Sequence, residues 1–257
     1  MISKSKKKYY RSLKHKKHRR LNGEFLIEGA RIISSALEEN AYFKTVLITN
    51  VFKNFPSSRH IMKELNKVGI SIKVVDENTM ESITDTEHPS GIAGICSLPE
   101  TQNKPFQTKH PYIFLDTISN PGNMGTILRS ASWFGIQNVA VSPNCVDPFN
   151  PKSVRAGMGA HFNLNIYENV PLIYFFEKHF FIIGADSSGS SYLKWKKPLE
   201  KKKWVLVLGN EANGISEENQ ALLNESISIP KYGIGESLNV ATSAGILLSR
   251  LVRSDIN

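Results

Sequence analysis

Leu115–Gly135 has the sequence LDTISNPGNMGTILRSASWFG, in which an apolar strand runs into a polar loop and then into a helix. The strand Tyr112–Leu115 is predicted to end at Asp116, and a proline–glycine pair begins the helix. Ligands of parallel α/β sheets bind at the carboxyl ends of the strands. Asn123 and Arg129 supply polar groups for such a site, since an arginine can hold phosphate or ribose oxygens bidentately. A glycine turn followed by a surface arginine is the alternative reading.

Two later stretches leave predicted strands in the same way. Val205–Ser216 (VLVLGNEANGIS) runs from an apolar strand into Gly209 and Glu211. The glycine would let a ligand approach the backbone closely, and the carboxylate could orient an arginine. Ile227–Arg250 (ISIPKYGIGESLNVATSAGILLSR) passes from a strand through a glycine-containing loop into a long helix, for which Ser237 is a suitable N-cap. Each stretch alone is also compatible with an ordinary turn.

Alternating strands and helices over the rest of the chain predict an α/β protein with a mostly parallel sheet. Pro99–Pro111 holds three prolines and no aliphatic residue, which is typical of a linker. The predicted organisation is a basic, flexible arm over residues 1–20, a small α/β domain over 21–98, a linker over 99–111 and a larger domain over 112–257. Strands are predicted at Lys44–Thr49, Ser71–Val75, Gly91–Leu98, Tyr112–Leu115, Asn138–Val141, Phe180–Gly184 and Trp204–Leu208, and helices within Gly23–Asn40 and at Ser57–Val68, after Asp76, and at Gly122–Phe134, Pro151–Gly159, Pro171–Lys178, Ser216–Leu223 and Ser237–Val252.

The positive charge of the chain is concentrated at its start. The net charge is +9, and the first 20 residues hold ten lysines and arginines and no acid. Such an arm can neutralise several phosphates, so we expect RNA binding that weakens steeply with salt. The candidate RNA contacts in the arm are Lys16, Lys17, Arg19 and Arg20. A second basic segment, Lys194–Trp204, carries six lysines and two tryptophans and suits unpaired RNA, although a solvated loop with Trp204 in the core fits equally.

Composition excludes several other classes of protein. No apolar run approaches the length needed to cross a bilayer, and the lysine-rich start lacks the apolar core of a secretory signal, so we expect a cytoplasmic protein. Cys96 and Cys145 are isolated and are expected to be small buried hydrophobes rather than a disulfide or a metal site. The sequence contains no GxGxxG, GxxxxGK[ST], HExxH or GxSxG motif.

Taken together, the three stretches closely resemble the three signature motifs of the SpoU/TrmH branch of the SPOUT RNA methyltransferases. The resemblance covers most of Tyr112–Asn257. From Arg19 to about Leu98 the chain is similar to the N-terminal substrate-binding domain of many members, through HRRLNGEFLIEGAR near its start and EHPSGIAGI before the linker. Arg155, within SVRAGMGAHFNL, lies in a further block that resembles the family and is a candidate RNA contact.

The resemblance implies a C-terminal domain with a deep trefoil knot, S-adenosylmethionine bound at that knot, and a homodimer with no metal. The implied activity is methylation of a ribose 2′-hydroxyl in structured RNA, with ribosomal RNA of the large subunit favoured over tRNA. By motif position the functional polar residues are Asn123, Arg129, Glu211, Ser237 and Asn239. The implied cofactor contacts are Gly209, Ile229 and Leu238, with Leu208 and Pro230 close by.

The chemistry of Arg129 needs separate consideration. Within the family, the arginine at this position has been proposed as the base that removes the hydroxyl proton. A guanidinium stays protonated at neutral pH and is therefore a poor base. We expect Arg129 instead to bind a phosphate and stabilise developing alkoxide charge, while Glu211 and Asn239 hold it in place.

Three other functions are compatible with parts of the pattern. These are methylation of tRNA, a non-catalytic RNA- or ribosome-binding protein that keeps the fold, and a small-molecule methyltransferase or nucleotide-binding enzyme. The complete set of polar motif residues argues against a non-catalytic protein, and the basic arm with its extra domain favours RNA over a small molecule. The target RNA, the nucleotide and the proton acceptor are not readable from the sequence.

Overall fold

The buried strands of the chain form two separate sheets in the computed structural model, which describes residues 2–56, 58–84, 86–99, 106–195 and 203–253. The first unit comprises Met1–Pro99 and Phe149–Phe162, and the second comprises Glu100–Pro148 and Asn163–Asn257. Within the described ranges, every helix is too short or too polar to span a membrane. The α/β class expected from the sequence is confirmed in both units.

The first unit is built on a four-stranded sheet of order β1-β4-β2-β3. Strand β4 runs antiparallel to β1 and β2, whereas β2 and β3 are parallel. The strands are β1 (Glu24–Glu28), β2 (Phe43–Thr49), β3 (Ile72–Val75) and β4 (Ile92–Ser97). The helices of its first 99 residues are α1 (Lys4–Ser12), α2 (Lys16–Asn22), α3 (Ala30–Glu38), α4 (Asn50–Asn54), α5 (Ser58–Lys67) and α6 (Glu77–Thr84).

The second unit contains a six-stranded sheet of order β10-β8-β9-β5-β6-β7 in which every neighbouring pair is parallel. Its strands are β5 (Tyr112–Leu115), β6 (Asn138–Val141), β7 (Asn165–Glu168), β8 (Phe181–Ser191), β9 (Trp204–Leu208) and β10 (Glu225–Ser228). Its helices are α7 (Pro121–Trp133), α9 (Ile173–Glu177), α10 (Glu217–Gln220) and α11 (Val240–Arg253). The mostly parallel sheet is thereby confirmed, and the trefoil knot stays a prediction.

The basic arm differs from the flexible segment expected over residues 1–20. It forms α1 and α2, and the side chains of Tyr10 and Leu13 are buried in a cluster with Leu26 and Met80. The guanidinium of Arg19 is only 1% exposed and donates to the carbonyl oxygens of Leu13 and Lys14 at 2.8 and 2.7 Å. Tyr10 and Leu13, at helical spacing, anchor the arm to the first unit. This was not predicted because lysines and arginines dominate the composition of the arm.

The helix predicted within Gly23–Asn40 is confirmed as α3, but the strand that precedes it was not predicted. Glu24–Glu28 form β1, whose three consecutive apolar residues are buried. A run of adjacent apolar residues is typical of a strand covered on both faces. Downstream, Asp76 caps the helix that was predicted to follow it, because its carboxylate accepts from the Thr79 amide at 2.7 Å and from the Thr79 hydroxyl at 3.0 Å. These hydrogen bonds lower the pKa of the Asp76 carboxyl.

Residues 149–162 leave the second sheet and pack within the first unit, whereas the sequence placed them in the domain 112–257. They contain α8 (Pro151–Gly157) and a 3-10 turn, Ala160–Phe162. The Phe25 ring lies 5.1 Å from that of Phe149, and Arg155 contacts the Glu28 carboxylate at 3.5 Å. A side chain at Gly159 would meet Ser35 at 2.6 Å, and the φ of Gly159 is +98°, so this contact requires glycine.

We predict that Arg19→Ala lowers the free energy of unfolding of the first unit by about 3 kcal/mol. The substitution removes a buried charged donor and leaves the carbonyls of Leu13 and Lys14 without these hydrogen bonds. Urea denaturation followed by circular dichroism measures the change. Arg11→Ala, on the exposed face of α1, is the matched control and should unfold as wild type does. Equal midpoints for the two variants would contradict the structural role of Arg19.

Candidate active site

The candidate site starts from the register of two central strands. Leu115 at the end of β5 pairs with Leu208 at the end of β9, and the amide of Asp116 continues the ladder by donating to the Leu208 carbonyl at 2.9 Å. All four residues of β5 are fully buried, which fixes this register against slippage. The loops that follow the two strands therefore emerge side by side.

Two side chains clamp these loops together. The buried carboxylate of Asp116 accepts from the amide and the hydroxyl of Ser216, both at 2.8 Å. The Asn210 amide group donates to the carbonyl of Thr117 at 2.9 Å. Neither contact was predicted, although Asp116 directly follows a buried apolar strand in the sequence. The clamp fixes the loop that carries Glu211 relative to the loop that leads into α7.

Gly209 has a different role from the one expected. A Cβ at this position would lie 2.2–2.4 Å from the backbone of Gly214 and Ile215. That loop closes through two backbone hydrogen bonds between Asn210 and Gly214, of 2.8 and 2.9 Å. The space that glycine leaves is therefore filled by the chain itself, and the expected contact of Gly209 with a cofactor stays a prediction.

The loop after β5 is supported from its other side by residues that follow β6. The Thr117 amide donates to the Ser142 hydroxyl at 2.9 Å, and the Ile118 amide donates to the Cys145 sulfur at 3.1 Å. Burial raises the pKa of the Cys145 thiol. At neutral pH this thiol is therefore protonated and serves as a hydrogen-bonding support rather than a nucleophile. Cys96 is buried, as expected, whereas Cys145 is only partly buried and hydrogen-bonded; both are free cysteines.

The three stretches meet in a chain of side-chain hydrogen bonds. Asn120 caps α7, accepting from the amides of Gly122 and Asn123, and so sets Asn123 in the first turn. The Asn123 amide nitrogen donates to the Glu211 carboxylate at 2.5 Å. Its amide oxygen accepts from the Asn239 nitrogen at 2.9 Å. One residue from each stretch thus contributes to a single arrangement.

Asn239 also begins the last helix. Its side-chain oxygen accepts from the amides of Ala241 and Thr242 at 2.9 and 3.3 Å, so Asn239 caps α11. The helix was predicted to start at Ser237, three residues before its start at Val240. Its cap is Asn239 rather than Ser237. Ser237 lies in the exposed loop before the helix.

Arg129 stands apart from this arrangement. It is exposed on α7, and among the described residues no hydrogen bond or ion pair links Arg129 to Glu211 or Asn239. The expectation that these two residues hold the guanidinium is wrong for this structure, because both bond Asn123 instead. Among the described residues, Ser237 also forms no hydrogen bond with Asn123, Glu211 or Asn239.

The segment Ile229–Leu238 fits a cofactor of mixed polar and apolar surface. Its main-chain groups form no hydrogen bond with the described residues, so the segment offers free carbonyl acceptors and, except at Pro230, free amide donors. Apolar side chains along it are exposed, with Tyr232 at 88% and Leu238 at 52%. Ile229 and Pro230 are half-buried at its start, whereas Leu208 is fully buried.

The structure separates the residues expected to contact RNA. Lys16 and Lys17 are exposed on α2. Arg19 is buried, the guanidinium of Arg20 lies 5.9 Å from the Phe149 ring, and Arg155 also donates to the Thr84 carbonyl at 3.3 Å. The last three cations therefore have structural contacts of their own.

The second basic segment, Lys194–Trp204, falls largely outside the described residues, which omit 196–202. The two tryptophans at its ends are described, and both are buried. The Trp195 indole donates to the Glu225 carboxylate. Neither ring is exposed for stacking on a base, which favours the reading with Trp204 packed in the core.

Comparison with known proteins gives matches over both units. Residues 110–249 match the sequence model of the SpoU rRNA Methylase family, and residues 4–94 match that of the MRM3-like substrate binding domain. The chain is 28% identical over 247 residues to the 23S rRNA (guanosine(2553)-2′-O)-methyltransferase RlmP of Bacillus subtilis, covering 96% of this chain and 95% of that one. It is 37% identical over 165 residues to the mitochondrial rRNA methyltransferase 3 of Xenopus tropicalis, covering 61% of this chain and 38% of that one.

Solved structures agree with the same assignment. The AdoMet-bound rRNA methyltransferase from Sinorhizobium meliloti superposes with a TM-score of 0.81 at 27% identity, over 98% of this chain and 97% of that one. The SpoU methyltransferase AviRb from Streptomyces viridochromogenes, in complex with AdoMet, gives a TM-score of 0.85 at 24% identity, over 99% of each chain. The second likeness supports the fold.

We predict that a single substitution at Asn123 breaks its hydrogen bond with Glu211 and that a second substitution, at Glu211, restores this bond. Asn123→Asp places two acceptors face to face and should cost about 1 kcal/mol, a modest amount because Glu211 is exposed. In Asn123→Asp/Glu211→Gln the new amide donates to the new carboxylate, which can still accept from Asn239. Unfolding free energies in a double-mutant cycle measure the coupling. Additive losses in the double variant would show that the hydrogen-bond chain is not energetically connected.

Proposed function

The chain belongs to the SpoU rRNA methylase family, and from that premise we propose that it transfers a methyl group from S-adenosylmethionine to a ribose 2′-hydroxyl of ribosomal RNA. The observation that carries the proposal is the joint placement of Asn123, Glu211 and Asn239, one from each motif, in one hydrogen-bonded arrangement. The comparisons agree with the resemblance drawn from the sequence.

Ribosomal RNA of the large subunit is the preferred substrate. The full-length bacterial relative is named for 23S rRNA, and the mitochondrial relative is named for rRNA. Methylation of tRNA is the second candidate, but neither of those names supports it. A non-catalytic RNA-binding protein would have no reason to keep the Asn123–Glu211–Asn239 arrangement together with an unpaired Ile229–Leu238 segment.

S-Adenosylmethionine, when bound, supplies an electrophilic methyl group. The residues that would hold it are Ile229, Pro230 and Leu238, through free main-chain groups and apolar contact. Leu208 and Gly209 have an indirect role. Leu208 ends β9 and Gly209 begins the tight loop after it, so the two residues position the neighbouring loops. The cofactor needs hydrogen-bond partners for its adenine and ribose and apolar surface for its ring, and this segment offers both.

Arg129 is the group best suited to bind the RNA phosphate and stabilise negative charge on the attacking oxygen. It is exposed and carries no ion pair with the described residues, so its five donors are available to a substrate. A guanidinium remains charged at neutral pH, so its contribution is electrostatic rather than that of a base. Asn123, Glu211 and Asn239 fix the first turn of the helix that carries it.

A homodimer in the cytoplasm completes the proposal. Large apolar side chains are exposed in the second unit, including Trp133 at the end of α7 and Ile234 in the loop before α11. Exposed apolar surface of this kind is typical of a protein interface. Sedimentation equilibrium of the full chain would distinguish a dimer from a monomer.

We predict that ribosomal RNA from cells with the gene resists alkaline cleavage at one position that is cleaved in RNA from cells without it. A 2′-O-methyl group removes the hydroxyl that attacks the adjacent phosphate, so one band disappears from the ladder. The comparison identifies the reaction and the nucleotide together. Identical ladders for ribosomal RNA, with a difference confined to tRNA, would support the second candidate.

We predict that Arg129→Ala abolishes methyl transfer while leaving the affinity for S-adenosylmethionine within about twofold of wild type. Transfer is measured with radiolabelled cofactor and affinity by calorimetry. Arg129→Lys should recover only part of the activity, because lysine cannot bind a phosphate bidentately. Lys178→Ala, an exposed cation elsewhere in the second unit, is the control. Transfer by Arg129→Ala near the wild-type rate would overturn the assigned role.

A further inference from the structure

A basic groove lies between α4 and α5 in the first unit and has a volume of about 460 Å³. It lies within residues 4–94, which match the MRM3-like substrate binding domain, but that match assigns no particular surface to the substrate. We call it the basic groove and define it by the six residues that line it: Lys53, Ser58, Arg59, Met62, Lys63 and Asn66. Three of the six are cations, and all three are exposed.

The cations of the basic groove are not neutralised by the chain. Between Asn50 and Lys67 the only acidic residue is Glu64, and its carboxylate contacts Lys67 at 3.9 Å. Among the described residues no ion pair involves any of the three groove cations. A concentration of positive charge around one concave surface attracts a polyanion. In the arm, by contrast, the cation Arg19 is buried and does not add to the exposed positive charge.

The arrangement of these cations is fixed by a buried hydroxyl. Ser58 is 1% exposed, and its Oγ donates to the carbonyls of Lys53 and Phe55 at 3.2 and 2.7 Å. These bonds tie the end of α4 to the start of α5. Arg59 and Lys63 then lie one turn apart on α5, on the side that lines the groove with Lys53. The groove is therefore a built feature rather than a chance run of charges.

An exposed aromatic ring, outside the six lining residues, belongs to the connection between α4 and α5. Phe55 lies in the chain between Lys53 and Arg59, and its side chain is 59% exposed. The backbone of Phe55 is held by the same Ser58 hydroxyl that orders the groove. Cations for phosphates beside a ring for base stacking form the combination that binds unpaired RNA.

We propose that the basic groove binds an unpaired segment of the RNA substrate, with Lys53, Arg59 and Lys63 contacting phosphates and Phe55 stacking on a base. This inference rests on the proposed function, because the RNA held in the groove is the RNA that is methylated. It gives the first unit a specific RNA-binding surface outside the arm. An acidic protein segment is the competing occupant, and Phe55 favours RNA because a base stacks on it.

The test measures binding of the full chain to fluorescent oligouridylate of about 12 nucleotides, between about 50 and 200 mM salt. Lys53→Gln/Arg59→Gln/Lys63→Gln should bind at least tenfold more weakly, with a salt slope lower by about 2, since each single-strand phosphate contact contributes about 0.7. Phe55→Leu should weaken binding about tenfold and leave the salt slope unchanged. The control Lys44→Gln/Lys67→Gln/Lys178→Gln removes the same charge outside the groove and should bind nearly as wild type.

Three results would overturn the proposal: no binding of the probe by wild type, equal losses in the groove and control variants, or equally tight binding of poly-L-glutamate. Affinity for S-adenosylmethionine is measured on every variant and should match wild type, because the groove and the cofactor residues belong to different units. Groove-dependent RNA binding by a chain that transfers no methyl group would support the groove and count against the proposed function. Methyl transfer with unchanged RNA binding in the groove variants would do the reverse.

Discussion

The parallel pairing of β5 with β9 is the constraint on which the candidate site depends. It sets Leu115 beside Leu208, and each residue that follows is placed by a contact with the neighbouring loop. Asp116 then reaches Ser216, and Asn210 reaches Thr117. Because β5 is buried throughout, a shift of one residue would turn its side chains to the opposite face of the sheet. The burial of four apolar residues therefore defines the position of polar groups that lie beyond the sheet.

One carboxylate sets the direction of the hydrogen bonds that link the side chains of Glu211, Asn123 and Asn239. Glu211 can only accept hydrogen bonds, so Asn123 must present its nitrogen to it and its oxygen to Asn239. Asn239 then presents its nitrogen to Asn123 and keeps its oxygen for the amides that begin α11. The carboxylate that follows β9 thus determines the direction of the hydrogen bonds of two side chains, up to the start of the last helix. Arg129 is left exposed on α7, free to meet a substrate rather than a partner in the protein.

The central strands of the second unit were predicted well, but its edge strand β7 was not predicted and β8 continues to Ser191, beyond the predicted end at Gly184. Strands such as Tyr112–Leu115 and Trp204–Leu208 were found to the residue, because continuous apolar runs between polar loops allow little else. Asn123 and Glu211 were foreseen from their positions after predicted strands, and Asn239 only from the family resemblance. Spacing alone could not show which side-chain amide group faces which partner. The anchoring of the arm was missed because charge dominated its composition. The burial of Arg19 depends on carbonyl groups at a helix end, which no pattern of residue types reveals.

The excursion of residues 149–162 has a consequence for the order in which the chain can fold as it is synthesised. Phe149 and Phe162 cover Phe25, and Arg155 is the ion-pair partner of the nearly buried Glu28. A nascent chain that ends before residue 149 lacks all of these groups. The first unit therefore begins to form early but is finished only after β5, α7 and β6 of the second unit have left the ribosome. Maturation of the N-terminal unit is in this way coupled to translation of the domain that follows it.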